Sequence, residues 1–135
     1  MHTTAGDVQR ILIALHPGTY VRPHRHEGTD RWSGTETLTA LQGAIGAVLF
    51  TPQGLVDTAV RVEAGGLVDI PAGQWHTVVC PSDDTVVLEV KAGSAPVPDR
   101  EWLAGFPPEG GAGSRDMTYR WARAVGPPNG LRSPR

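Results

Sequence analysis

The sequence predicts an all-β chain, an antiparallel β-barrel or double-sheet jelly roll followed by a Gly/Pro-rich tail, and three observations carry that prediction. Glycine (17) and proline (12) are abundant in the 135 residues while aromatics are only 6%, which favours short strands and tight turns over long helices. Residues 8–91 divide into short β-capable runs separated by turn signals at close spacing. No stretch in that region sustains the 3.6-residue period of a helix. A chain of this length fits one domain with a substantial core.

Taken in order, residues 9–15 form a β-capable run ended by His16-Pro17-Gly18. Residues 20–26 follow, with Pro23 tolerable only at an edge or a bend. Residues 35–41 and 44–51 flank Gln42-Gly43, a hairpin turn. Residues 56–62 come after Pro52-Gln53-Gly54, and 67–70 after Ala64-Gly65-Gly66. Residues 76–80 and 85–91 flank Pro81-Ser82-Asp83-Asp84. This gives a barrel domain over residues 1–102. Residues 103–135 hold eleven Gly or Pro and carry +3 (five Arg against Glu109 and Asp116), against −5 for the preceding residues (seven basic, twelve acidic). A flexible or loosely docked tail is expected there, with Met117-Thr118-Tyr119-Arg120-Trp121 able to add an edge strand because its apolar residues alternate.

The net charge of −2 presents no basic face for nucleic acid. The apolar runs are far shorter than a bilayer span, and the N-terminus lacks the basic start and apolar stretch of a signal peptide. One cysteine, Cys80, excludes an internal disulfide. A cytoplasmic protein that works on a small-molecule ligand, without nucleic acid or membrane, is the expectation.

The informative residues are histidines. His24 and His26 lie two apart, so on a strand both imidazoles emerge on one side of the sheet. His76 follows the turn Pro71-Ala72-Gly73 and opens another strand. Glu36 opens the strand at 35–41. Three imidazoles and one carboxylate make an open transition-metal site suited to Fe, Mn, Ni, Co or, with fewer ligands, Zn. Tyr20 and Arg22 share the expected face of His24 and would offer a phenol and a paired-donor guanidinium to a substrate. The alternative for Arg22 is a side chain reaching solvent at the barrel mouth. Glu89 is expected to point away from the barrel, into solvent or a dimer contact. Trp32 and Trp75 read as packing or rim aromatics, and residues 27–34, with two glycines, as a simple surface insertion, the alternative being a loop over the mouth.

Gly18-(x5)-His24-Arg25-His26, then Glu36-(x6)-Gly43, resembles the first cupin motif, and Gly65-(x5)-Pro71-Ala72-Gly73-(x2)-His76 resembles the second. The wording from Pro17 to His26, from Ile70 to Val79 and over Leu88-Glu89-Val90-Lys91 is similar to the WbuC-like cupin metalloproteins. The resemblance runs from about Val8 to Glu109. It implies a cupin β-barrel with a divalent transition metal held by His24, His26, Glu36 and His76, a homodimer, and action on small polar metabolites, sugar-related ones among them. Apolar residues on both faces of residues 44–50 agree with a paired barrel.

The chain departs from the cupin pattern in three places. Nine residues separate His26 from Glu36 where cupins have three or four, so that counting from His26 puts Asp30 in register and counting from Gly43 puts Glu36 there; Glu36 is favoured because it leads a convincing strand. Cys80 stands where asparagine is common. The segment before the barrel is short. Three functions follow: a metal-dependent enzyme such as an oxygenase or isomerase, a non-catalytic cupin that binds metal and a small ligand, or a vestigial barrel whose long 27–35 segment pulls the carboxylate out of reach.

Overall fold

In the computed structural model, which describes residues 2–3, 8–28, 33–81, 83–92 and 100–127, two five-stranded antiparallel sheets face each other. The strands are β1 His2–Thr3, β2 Val8–Leu15, β3 His24–His26, β4 Glu36–Gln42, β5 Ala44–Phe50, β6 Val56–Glu63, β7 Leu67–Ile70, β8 Trp75–Val79, β9 Thr85–Ala92 and β10 Arg100–Trp102, followed by the helix α1 Ser114–Val125. One sheet runs β1-β2-β9-β4-β7 and the other β10-β3-β8-β5-β6. The all-β double-sheet architecture is the one the sequence predicts. Seven of its strands lie within two residues of the predicted bounds.

The core between the sheets follows from alternation. On β4, Glu36, Leu38 and Ala40 are buried, and on β9, Thr85, Val87, Glu89 and Lys91 are. Leu38, Ala40 and Val87 from one sheet pack with Ile45, Val62 and Val78 from the other. Cys80 belongs to this cluster, 2% exposed, with its thiol donating to the Asp83 carbonyl at 2.9 Å. It is packing, as a buried small thiol usually is.

Two predicted elements differ. The predicted strand over residues 20–26 shrinks to His24–His26: Pro23 has no N–H to give a ladder, and its carbonyl instead accepts the Leu103 amide at 2.9 Å. Residues 117–121 are not an edge strand but the middle of α1. Where the sequence predicts a flexible or loosely docked tail, Trp121 and Val125 of this helix, with Leu103, are buried against Val48, Phe50 and Val79 on the outer face of the second sheet. Gly46 permits the close approach, since a Cβ there would lie 2.5 Å from Val125 Cγ2 and 2.7 Å from Val79 Cγ2. The apolar residues on both faces of β5 are thereby accounted for within one chain, half by the barrel interior and half by α1. No helix among the described residues is long and apolar enough to cross a membrane.

Candidate metal centre

The strand register assembles the site. His24 pairs directly with His76 across β3 and β8, and their ring centroids lie 4.4 Å apart. The turn ahead of β8 is tied to the same place: the Gly73 amide, on a backbone with φ of 78° that favours glycine, donates to the His26 carbonyl at 2.8 Å. Glu36, first residue of β4, reaches across from the opposite sheet. Its Oε2 lies 3.0 Å from His76 Nε2 and 3.3 Å from His26 Nε2. One ligand atom from each of His24, His26, Glu36 and His76 lies within 4.8 Å of every other, and all four residues are buried. The long 27–35 segment therefore does not remove the carboxylate, and the vestigial arrangement is set aside. Asp30, the competing carboxylate, and Trp32 lie outside the described residues.

Hydrogen bonds orient the rings. The Nδ1–H of His24 donates to the Arg22 carbonyl at 2.8 Å and that of His76 to the Gln74 carbonyl at 2.9 Å, which leaves each Nε2 with a lone pair for an ion. Burial, then the neighbouring His76 and Arg100, lowers His24 to about 3, so its imidazole is neutral near pH 7, the form a metal requires. Burial acts to raise Glu36, but His26 and His76, whose Nε2 donates to it when that nitrogen carries a proton in place of an ion, outweigh it and hold the carboxyl well below the usual range.

The site sits at one end of a cavity of ≈ 200 Å³ between the sheets. Ile13, Leu15, Val21, Leu38, Val78 and Val87 form its apolar wall, and His24, Glu36, Glu89, Arg100 and Glu109 its polar end. Glu89 corrects the sequence expectation: it faces inward, 8% exposed, because β9 turns Val86, Leu88 and Val90 outward. Burial, with the adjacent Glu36 carboxylate and a hydrogen bond to it, raises Glu89 to about 8, against the opposing pull of Lys91 and Arg100. Glu89 is therefore a neutral acid at pH 7 that donates to Glu36. Lys91, two residues on and 6% exposed, brings its Nζ to 3.4 Å from His26 Nδ1.

Of the two residues predicted to meet a substrate, Tyr20 is engaged elsewhere. Its hydroxyl donates to the Pro107 carbonyl at 2.7 Å and its ring stacks 6.0 Å from Trp121. Arg22 reaches the mouth, its guanidinium 5.3 Å from the Trp102 ring. Trp75 carries the Arg25 guanidinium 4.4 Å above its ring, a rim contact. Sequence reasoning missed β10, whose three residues are too few to show a pattern; it pairs with β3 so that Arg100 lies opposite His26 and Trp102 opposite His24.

Comparison with known proteins agrees with this fold. A model described as a domain of unknown function (DUF6016) matches residues 1–62, and no curated protein matches the chain. Oxalate decarboxylase from Bacillus subtilis superposes with a TM-score of 0.58 at 17% identity, over 72% of this chain and 24% of that one. A cupin-2 domain protein from Shewanella frigidimarina gives 0.52 at 16%, over 67% and 76%. The chain has the cupin fold. A double-stranded β-helix protein from Klebsiella pneumoniae gives 0.56 at 18% identity, over 76% and 78% of the two chains, so this cupin fold also matches a protein of nearly its own size. The chain spans about a quarter of the length of the oxalate decarboxylase, one of whose matched structures concerns its Mn(II) centers (20% identity, TM-score 0.56).

Proposed function

We propose that this chain is a cupin-fold metalloprotein in which His24, His26, Glu36 and His76 hold one divalent transition metal, and that it is a metal-dependent enzyme for a small polar metabolite. The observation that supports it is the convergence of three imidazoles and one carboxylate, all buried, with their ligand atoms within 4.8 Å of one another. The donor set fits such an ion: the carbonyl partners of His24 and His76 fix the tautomers that ligation needs, and Glu36 supplies one anionic oxygen. A bound divalent ion would polarise a substrate oxygen and lower its pKa. The chain's own residues do the remainder. The apolar wall lines the approach to the site, the buried Glu89 carboxyl lies beside Glu36, and the Arg22 carbonyl keeps the His24 ring in place. The wording of both motifs supports kinship with the WbuC-like cupins.

The test is metal analysis of freshly purified protein. About one transition-metal ion per chain is expected, with retention abolished in His24→Ala and in His76→Ala while the far-UV circular dichroism stays that of the parent. Normal metal content in both variants would falsify the assignment.

We further propose a homodimer, supported by the outer face of the first sheet, where Leu12, Leu41 and Leu67 are 40%, 50% and 61% exposed. Lone exposed leucines mean little, but three on one face of a sheet form a patch that association would cover.

A further inference from the structure

We propose that the cavity takes a small carboxylate-bearing molecule with a short apolar chain, its carboxylate held at the mouth by Arg100 and Arg22, both of which pack on Trp102. The proposal deepens the reading of the four-residue centre as the working site and rests on it.

The strand register places the first guanidinium. Arg100 lies opposite His26 and Trp102 opposite His24 in the β10–β3 pair, and directly opposed residues project from the same face of a sheet. Arg100 and Trp102 therefore emerge on the imidazole side, while Glu101 and Arg25, which hydrogen-bond each other at 2.6 Å, emerge on the other. Arg100 lines the cavity. Arg22 comes from the turn just ahead of His24. The two guanidinium carbons lie 5.3 and 5.4 Å from the Trp102 ring centroid.

Charge then selects the ligand. Arg22 Nε is buried and has no hydrogen-bond partner, and a buried charged donor without an acceptor is costly enough to call for one. Among the described residues neither Arg22 nor Arg100 forms an ion pair with a carboxylate. Glu109 borders both the cavity and the adjoining ≈ 330 Å³ cleft that Arg22 lines, so Arg22, Arg100 and Glu109 together leave one positive charge in excess at the mouth once a bound ion offsets the Glu36 carboxylate deeper in. That excess matches a monoanion, and the paired donors of arginine match a carboxylate. A phosphate dianion would meet the Glu109 carboxylate. Past the mouth, the six aliphatic side chains of the wall offer contact to methylenes alone. At about 30 Å³ per water, the ≈ 200 Å³ cavity has room for roughly six or seven waters, the size of a short-chain acid.

The experiment titrates pentanoate, pentanamide and propyl phosphate into the full-length protein, stripped of metal and separately reloaded with Mn(II), at constant ionic strength. Calorimetry gives affinity, and quenching of Trp102 emission, lost in Trp102→Phe, reports on the mouth. Pentanoate is expected to bind at least tenfold more tightly than pentanamide. Arg100→Gln and Arg22→Gln should each weaken pentanoate tenfold or more with Mn(II) content unchanged, and Glu109→Gln should strengthen it. The proposal is overturned if pentanamide binds as well as pentanoate, if propyl phosphate is preferred, or if both arginine variants bind pentanoate like the parent. The wild-type comparison of acid and amide decides the matter even where a variant fails to fold. Pentanoate bound by a protein that retains no Mn(II) would sink the metal assignment and uphold this one; Mn(II) retained without pentanoate binding would do the reverse.

Discussion

Replacing Glu89 with glutamine in the metal-free protein isolates the buried acid beside Glu36. Glutamine keeps the volume and a donor to the Glu36 carboxylate but cannot ionise. In the parent, burial and the Glu36 charge raise Glu89 to about 8, whereas in the unfolded chain it titrates near the ordinary value of 4.5. Between those values the folded state binds more protons than the unfolded one, so stability falls as pH rises. At about 1.36 kcal/mol per unit, and allowing for partial titration at both ends, the parent loses roughly 3 to 4 kcal/mol from pH 5 to pH 8 through this group alone. Urea unfolding in EDTA at each pH should show the parent's stability falling relative to Glu89→Gln across that window, with the difference levelling off above pH 8. Parallel profiles, or a parent that gains on the variant with rising pH, would refute the placement of a neutral Glu89 in the cavity.

Two further outcomes test the rest of the structure. Trp121→Ala removes a 7% exposed ring packed against Tyr20, Phe50 and Phe106, and should cost roughly 3–5 kcal/mol in urea unfolding; a loss below about 1 kcal/mol would mean that α1 does not rest on the sheet. Light scattering should give the mass of two chains for the parent and one for Leu12→Glu, and a parent at monomer mass at high concentration would dispose of the homodimer.

Much of this molecule was legible in residue order because its turns and its site use strong local signals. Gly43, Gly54, Gly65 and Gly73 all adopt positive φ, so the glycines that punctuate the sequence are the ones that reverse the chain. His24 and His26 share a face by period two alone, and the Pro71-Ala72-Gly73 turn delivers His76 opposite them. Glu36 was legible from the Gly43 side only, since the count from His26 misleads where the loop is long. What escaped detection depended on facts that alternation cannot give. On β9 both faces carry aliphatic residues, so the pattern does not say which is inside; pairing with β4, where Lys91 meets Glu36, decides for Glu89 and Lys91. In α1 a five-residue window shows alternating Met117, Tyr119 and Trp121. Twelve residues show Ser114, Met117, Thr118, Trp121 and Val125 on one stripe, the spacing of a helix.

The C-terminal segment links these parts physically. β10 gives the imidazole face Arg100 and Trp102, the Leu103 amide holds the Pro23 carbonyl, and the Pro107 carbonyl holds Tyr20. Pro23 and Tyr20 lie in the turn that ends at His24, so the residues that cap the mouth also fix the approach of the chain to the first imidazole. Tyr20 stacks on Trp121, whose helix is seated by the missing side chain of Gly46. The helix on the outer face of the second sheet is thereby joined to the chain segment that leads into His24. Two strands of a barrel would bring His24 and His76 together without it. The guanidinium pair at the mouth exists only because the chain returns over the barrel after β9, which sets two arginines beside the ring of candidate metal ligands.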